Sequence, residues 1–466
     1  MSATTMNAVT TEDPRPRQTR WPAAVWAVLA ITLMARSFGF VYPFLSYHLN
    51  SLGFSTQVIG RTLAVFGIGW LIGQLLIGWT ADRLGKRRTL VTAMTVAACC
   101  LPILAQLHAV AAVCTGSLIA GIVYDAPRPV VSALIADLIT DDTQRAAVNG
   151  WRHGAVNIGA ATTGAAGAFL AERLGFQALF WLNAGACAAC ALIAHHYLDA
   201  TPALSVASRP TRTSVLLRAT MRDGRLWLVS AASISALTCV TSMFTALPML
   251  MEDDGLPAGA YGWTQVANAG AVVLLTPFLT PWLSRRCAAE RPVIGMLAAS
   301  TLLLGAGMGS AGLADTTTGY CLAVAAAVPG EIVFFVAASD VLNKISPDGN
   351  RGLYAGIWGS TLAIAVIIAP VLAAASLTAG GHRLVALTTL GAGALGAVLC
   401  IPLTRLSRRP ATITPRGTQQ PYRSSRGRAG ARHHHRARTA QPDLTYTPRT
   451  PASRPDVLPS ILGRLS

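Results

Sequence analysis

Long apolar runs separated by short polar turns fill the chain from residue 21 to residue 404. A helix of about 20 mainly apolar residues crosses a bilayer. Runs of that length stand at 22–45, 57–80, 89–107, 111–136, 151–171, 176–197, 226–250, 262–284, 292–313, 319–342, 353–378 and 383–404. The pattern predicts an all-α membrane protein with twelve transmembrane helices. The longest internal polar stretch, 198–225, falls after the sixth run. It predicts two six-helix bundles, 21–197 and 226–404, joined by a central loop. Residues 1–20 and 405–466 hold few large apolar side chains, cannot bury a core, and are predicted to be disordered. The run from Trp21 is too long for a signal peptide and lacks a small-residue cleavage site, so it reads as an uncleaved first span.

Charge supports this map. Only 12% of residues are charged, about half the usual share for a soluble chain. The net charge of +17 lies in the tail and in short loops rather than in one basic groove, which argues against nucleic acid as a partner. Arg83, Lys86, Arg87 and Arg88 follow the second run. Arg145 and Arg152 follow the fourth, Arg285 and Arg286 the eighth, Lys344 and Arg351 the tenth. Alternate loops are poor in base, and 251–257 carries Glu252, Asp253 and Asp254. Positive loops mark the cytoplasmic side, so both termini are expected in the cytoplasm of a cell whose inner membrane the chain crosses many times.

A repeat links the halves. "ADLITDDTQRAAVNGW" follows the fourth run and "SDVLNKISPDGNRGLYAGIW" the tenth. Each has an Asp leaving the helix (Asp137, Asp340), a polar turn, an Arg, and a Gly five residues later (Arg145 and Gly150, Arg351 and Gly356). Parallel six-span repeats are a transporter architecture.

Between the second and third runs the chain reads "GWTADRLGKRR". Gly78, Asp82, Arg83, Gly85, Lys86, Arg87 and Arg88 resemble the signature of the major facilitator superfamily, at the position that family uses. The resemblance covers 21–404. It implies that this loop latches the outward-facing state, with Asp82 facing the start of the eleventh span and Arg83 facing an acid at the end of the fourth, matched here by Asp137. "RSFGFVYPFLSYHL" (36–49), "PGEIVFFVAASDVL" (329–342) and "RGLYAG" (351–356) are similar to bacterial multidrug-efflux members. Proton/drug antiporters carry a Gly-rich motif with Pro in the fifth span. Here "NIGAATTGAAGAF" keeps Gly159, Gly164 and Gly167, but not the Pro or the paired glycines.

Four ionisable residues stand inside predicted spans: Arg36, Asp125, Arg128 and Glu331. Each costs about 3 kcal/mol or more in lipid, so each is expected to face the bundle interior or a watery cavity. Asp125 and Arg128 lie three apart, share a helix face, and could neutralise each other; Pro127 and Pro129 should bend that helix. Matching Arg145 with Arg351 sets Asp125 opposite Glu331; matching Asp137 with Asp340 sets Arg128 there instead. Either carboxylate is a candidate proton carrier, with Arg128 or Arg36 competing for it.

Phe38, Tyr42, Tyr124, Asn157, Asn268, Phe334 and Trp358 are candidates to line a substrate path. "CAAC" at 187–190 has redox spacing but lies in an apolar run, which favours helix packing. "RHHHRAR" at 432–438 reads as a basic tail rather than a metal site. No metal cluster, nucleophile pair or phosphate loop is seen, so an enzyme is not expected. The expected protein is a monomeric secondary transporter in the lipid bilayer. It takes a small-molecule substrate, needs no cofactor, and is driven by a proton gradient. Efflux of drug-like compounds is the favoured activity. Symport import of a sugar or metabolite is the alternative, and a membrane sensor or enzyme the remote one.

Overall fold

The computed structural model describes residues 21–139, 141–199, 218–288, 292–347 and 351–407, and among these all regular structure is helical. The tails, most of the central loop, and the "RHHHRAR" segment lie outside the described residues. The helices are α1 (Ala23–Ser37), α2 (Val41–Ser51), α3 (Thr56–Leu84), α4 (Lys86–Leu104), α5 (Val110–Tyr124), α6 (Pro127–Leu138), α7 (Asp142–Leu174) and α8 (Phe176–Tyr197). After the central loop come α9 (Gly224–Ser242), α10 (Ala246–Asp253), α11 (Ala258–Cys287), α12 (Ile294–Ser310), α13 (Thr317–Ile345), α14 (Arg351–Gly359) and α15 (Thr361–Ser407).

Among the described residues, ten helical segments are long and apolar enough to cross a membrane. α1 with α2, α5 with α6, α9 with α10, and α14 with α15 each form one such segment. α7, rich in Gly, Thr and Asn, is not among the ten, and the Leu353–Ser407 segment is broken at Gly380 and Gly381. α7 starts nine residues before the predicted fifth span because Asp141 caps it, accepting from Gln144 N at 2.7 Å. Gly85 and Gly175, at φ +90° and +80°, make the tight joints between α3 and α4 and between α7 and α8, a conformation that side chains with a Cβ avoid.

Consecutive spans therefore run back and forth between a basic end, holding Arg83, Lys86, Arg87, Arg285 and Lys344, and an acidic end, holding Glu252, Asp253 and Asp254. Within the first half, α3 packs on α5, α4 on α8, and α1 on α7. The second half repeats this scheme: α11 on α13, α12 on α15, and α9 on α15. The α3–α5 contact is made by glycine. A Cβ on Gly69, Gly73 or Gly121 would meet the backbone of the facing helix. With no hydrophobic drive between helices in lipid, such close approach supplies the packing energy.

The halves meet at the acidic end. Gly60 lies against Ala374 and Gly67 against Ile367, joining α3 to α15. Glu172 Oε1 of α7 accepts from Gly259 N of α11 at 2.7 Å. Phe44 and Tyr47 of α2 pack on Tyr261 at 5.6 and 5.9 Å between ring centroids. A groove of about 400 Å³ opens between α7 and α11, lined by Ala161, Ala165, Val266, Ala269, Gly270 and Val273. Gly78, Gly154, Gly270, Gly356 and Gly359 face open space.

Candidate functional site

Pro127 has no N–H to continue the α5 ladder, so α5 ends at Tyr124 and α6 begins at Pro127. Across the break Ala126 N bonds Val123 O at 3.2 Å and Arg128 N bonds Asp125 O at 3.1 Å. Asp125 sits at this break and is only 5% exposed. Its carboxylate receives Arg36 Nη2 at 2.8 Å, Trp70 Nε1 at 3.2 Å, Gln74 Nε2 at 3.4 Å and Arg128 Nη1 at 3.5 Å. The expected Asp125–Arg128 pair is present, and Arg36, the other base expected to compete for a carboxylate, joins it. Arg128 is the weakest of the four donors and its side chain is 45% exposed, while Arg36 is the main partner. Trp70 and Gln74 were not singled out from sequence. Their signal was two N–H donors one helical turn apart in an apolar run.

Arg36 is itself held. It lies in the last turn of α1, its carbonyl accepts from Thr163 of α7, and Gly159 of α7 lies against its Cβ. The three glycines kept in the fifth span each seat a different helix: Gly159 seats α1, Gly164 meets Gln265 of α11, and Gly167 meets Phe44 and Phe40 at α2. Arg152, also of α7, donates from Nη1 to Ser132 Oγ of α6 at 2.8 Å.

Aromatic rings surround this network. Tyr42 stacks on Phe66 at 5.4 Å and contacts Trp70, Tyr124 and, from the second half, Phe244. Tyr42 is buried, and its hydroxyl finds no hydrogen-bond partner among the described residues. Tyr124 OH donates to Gly39 O at 3.4 Å. Phe38 and Asn157 are exposed. Phe334 is fully buried in the second-half core and lines nothing, which overturns its candidacy. Trp358 Nε1 is engaged by Ser233 Oγ at 2.9 Å. Asn268 of α11 lies near the Glu331 carboxyl of α13. Among the described residues no cation pairs with Glu331.

The loop signature departs from the expected contacts. Asp137 pairs with Lys86, not with Arg83; Lys86 Nζ also donates to Ala133 O at 3.1 Å. Arg83 instead lies over its own helix's Trp79 ring, 4.3 Å from the centroid. Asp82 is exposed and without a partner among the described residues. Gly85 makes the turn at positive φ, but Gly78 approaches no helix. Arg87 Nη2 meets His195 Nδ1 at 3.3 Å, and Arg88 is exposed. In the second half Asp340 accepts from Lys344 at 2.7 Å and from Val293 N at 3.3 Å, and Lys344 also donates to Cys287 O at 3.0 Å. Asp137 and Asp340 thus each hold the turn that precedes the next span. The arginine of the second repeat, Arg351, lies in α14 with its side chain outside the described residues. Cys187 and Cys190 are free and buried, and Cys190 Sγ sits 3.8 Å from Ile31 O of α1, a packing contact.

Comparisons with known proteins agree with this geometry. The sequence model of the Major Facilitator Superfamily matches residues 25–333. No curated protein matches the sequence. Among solved structures, the nucleoside transporter NupG, as a mutant, superposes with a TM-score of 0.63 at 17% identity, covering 82% of this chain and 99% of its own. The peptide transporter POT in complex with sulfate gives 0.68 at 16% identity, covering 84% and 96%. The POT family transporter PepTSo gives 0.66 at 13%, covering 84% and 98%. At these identities the likeness is one of fold.

Proposed function

The chain belongs to the Major Facilitator Superfamily and is a secondary transporter in a membrane, not an enzyme; on that premise we propose that it exports small organic, drug-like compounds by proton-coupled alternating access. The observation that supports this reading is the Arg36–Asp125 tie on two interrupted spans of the first half, beside halves that touch at the acidic end and border an apolar groove between α7 and α11. Twelve spans follow if α7 crosses and the Leu353–Ser407 segment crosses twice, turning at Gly380 and Gly381. With basic loops inside, both termini are cytoplasmic, the membrane is the inner membrane, and the basic end faces the cytoplasm. The first and last six spans act as two pseudo-symmetric bundles, and Asp82, without a partner among the described residues, is the open latch. The transporter works as a monomer without a cofactor.

Glu331 is the carrier of the coupled proton in this reading. Asp125 receives four donors, two of them guanidinium groups, and protonating it must displace them. Glu331 has only the neutral Asn268 beside it and no cation paired with it among the described residues, on a half that moves relative to Arg36 and Arg128. Asp125 is then the anchor of the first half. The test is accumulation of a panel of fluorescent compounds in cells with and without the protein, repeated with a protonophore. The reading expects lower accumulation that the protonophore restores. Higher accumulation would favour symport import, and no change across the panel would oppose drug export.

A further inference from the structure

The wall around Asp125 carries more positive charge than it can neutralise. Arg36, Arg128 and Arg152 bring three guanidinium groups within electrostatic reach of one another, against one carboxylate. Positive charge stays in excess even with Glu331 of the other half counted against it. Arg36 is committed to Asp125, but the other two are not. Arg128 makes one contact at the limit of a hydrogen bond, 3.5 Å, and its side chain is 45% exposed. Arg152 is bound by Ser132 through one nitrogen, and its Nε is buried without a partner among the described residues. Uncompensated guanidinium donors inside a membrane are costly, and a planar fork of donors matches a carboxylate or phosphate. Beside them lies the half-buried ring of Tyr124, backed by the buried rings of Tyr42, Phe66 and Trp70, with the Tyr42 hydroxyl without a partner among the described residues.

We propose that Arg128 and Arg152, with Arg36 behind them, form a recognition site for a small organic anion whose apolar body rests on the adjoining aromatic wall. The inference rests on the transporter reading only in taking that anion to be the transported species. Arg128 supplies the exposed fork, Arg152 a second fork steered by Ser132, and Asp125 keeps Arg36 from collapsing onto the anion. Neutral and cationic molecules of the same shape are rejected because they leave the guanidinium charge unmatched.

Benzoate, benzamide and benzylamine share one ring and differ in charge. They are to be titrated against the full-length protein in phosphatidylcholine nanodiscs, reading tryptophan fluorescence and thermal unfolding. Benzoate should bind and stabilise while the other two do not. Arg128→Gln and Arg152→Gln should each weaken benzoate roughly tenfold, as expected for one charge-assisted hydrogen bond. The wild-type ligand series stands even if a variant fails to fold. Benzylamine or benzamide binding as well as benzoate, or benzoate binding unchanged in both variants, would overturn the proposal. A phosphatidylglycerol headgroup offers the same charge, so loss of the benzoate response when that lipid is added assigns the cluster to lipid and also overturns it. Proton-driven efflux of cations without benzoate binding would sink the anion site alone; benzoate binding without any transport would sink the efflux reading alone.

Discussion

Arg36 and Asp125, 89 residues apart in sequence, meet at 2.8 Å where two interrupted spans of the first half lie side by side. The contact joins the end of α1 to the α5–α6 break, and Trp70 and Gln74 of α3 close it from a third helix.

Removing the charge of Asp125 should therefore cost stability. Asp125→Asn leaves Arg36 without its anion. Because Arg36 is 29% exposed, the loss should be about 2 kcal/mol, below the 3–5 seen for fully buried pairs. Denaturant unfolding of the purified protein measures it. The double variant with Arg36→Gln should lose less than the two single losses combined, and strict additivity would mean the pair is not coupled.

Gly73→Val tests the α3–α5 seam. Its Cβ would meet the Ile122 backbone, which cannot rotate away. A loss of about 1–3 kcal/mol is expected, with a lower thermal midpoint, whereas the same change at Gly78, which faces open space, should be near neutral. Equal effects at the two sites would contradict the packing described.

Lys86, not Arg83, should carry the loop contact. Lys86→Gln frees the α3–α4 turn from Asp137 and Ala133, while Arg83→Gln disturbs only the Trp79 ring. The Lys86–Asp137 pair is partly exposed, so about 1 kcal/mol, or roughly a fivefold change in transport rate, is expected. A larger effect at Arg83 would restore the pairing that the family resemblance implies.

Asp223 gives the protein an acid limb. Burial opposes its charge, but hydrogen bonds from Arg225 and Tyr354 outweigh that and hold its carboxyl below the ordinary value. Its folded pKa lies below its unfolded one. The stabilisation is therefore present above about pH 4 and lost as pH falls through the lowered value. Tyr354→Phe removes one donor, should cost about 1 kcal/mol or less near neutrality, and should move acid unfolding to higher pH. An unchanged acid limb in urea melts across pH would count against the bond.

Much of this was legible in the residues. Apolar runs are long-range signals of length, so the spans fall on helices, and the costly charges at 36, 125, 128 and 331 stand out against them. Which charge meets which was not legible. Asp125 has Arg128 three residues away and Arg36 far away, and only the convergence of α1 on α7, through Gly159 and Thr163, brings Arg36 nearer. The family resemblance pointed to Arg83 for Asp137, but Gly85 turns the chain so that Lys86 faces α6. Phe334 looked like a lining residue because a helical wheel does not say which face a neighbouring helix covers. Arg152 was read only as a loop charge because it stands at the edge of the predicted fifth span, whereas it lies ten residues into α7.

The central claim is proton-coupled alternating access with Glu331 as the carrier. It is tested most directly by Glu331→Gln in proteoliposomes, using a compound found by the accumulation panel and comparing counterflow with uptake driven by a pH gradient. The account predicts that counterflow persists while gradient-driven accumulation is lost, with Asp125→Asn impairing both. Full gradient-driven accumulation by Glu331→Gln would contradict it.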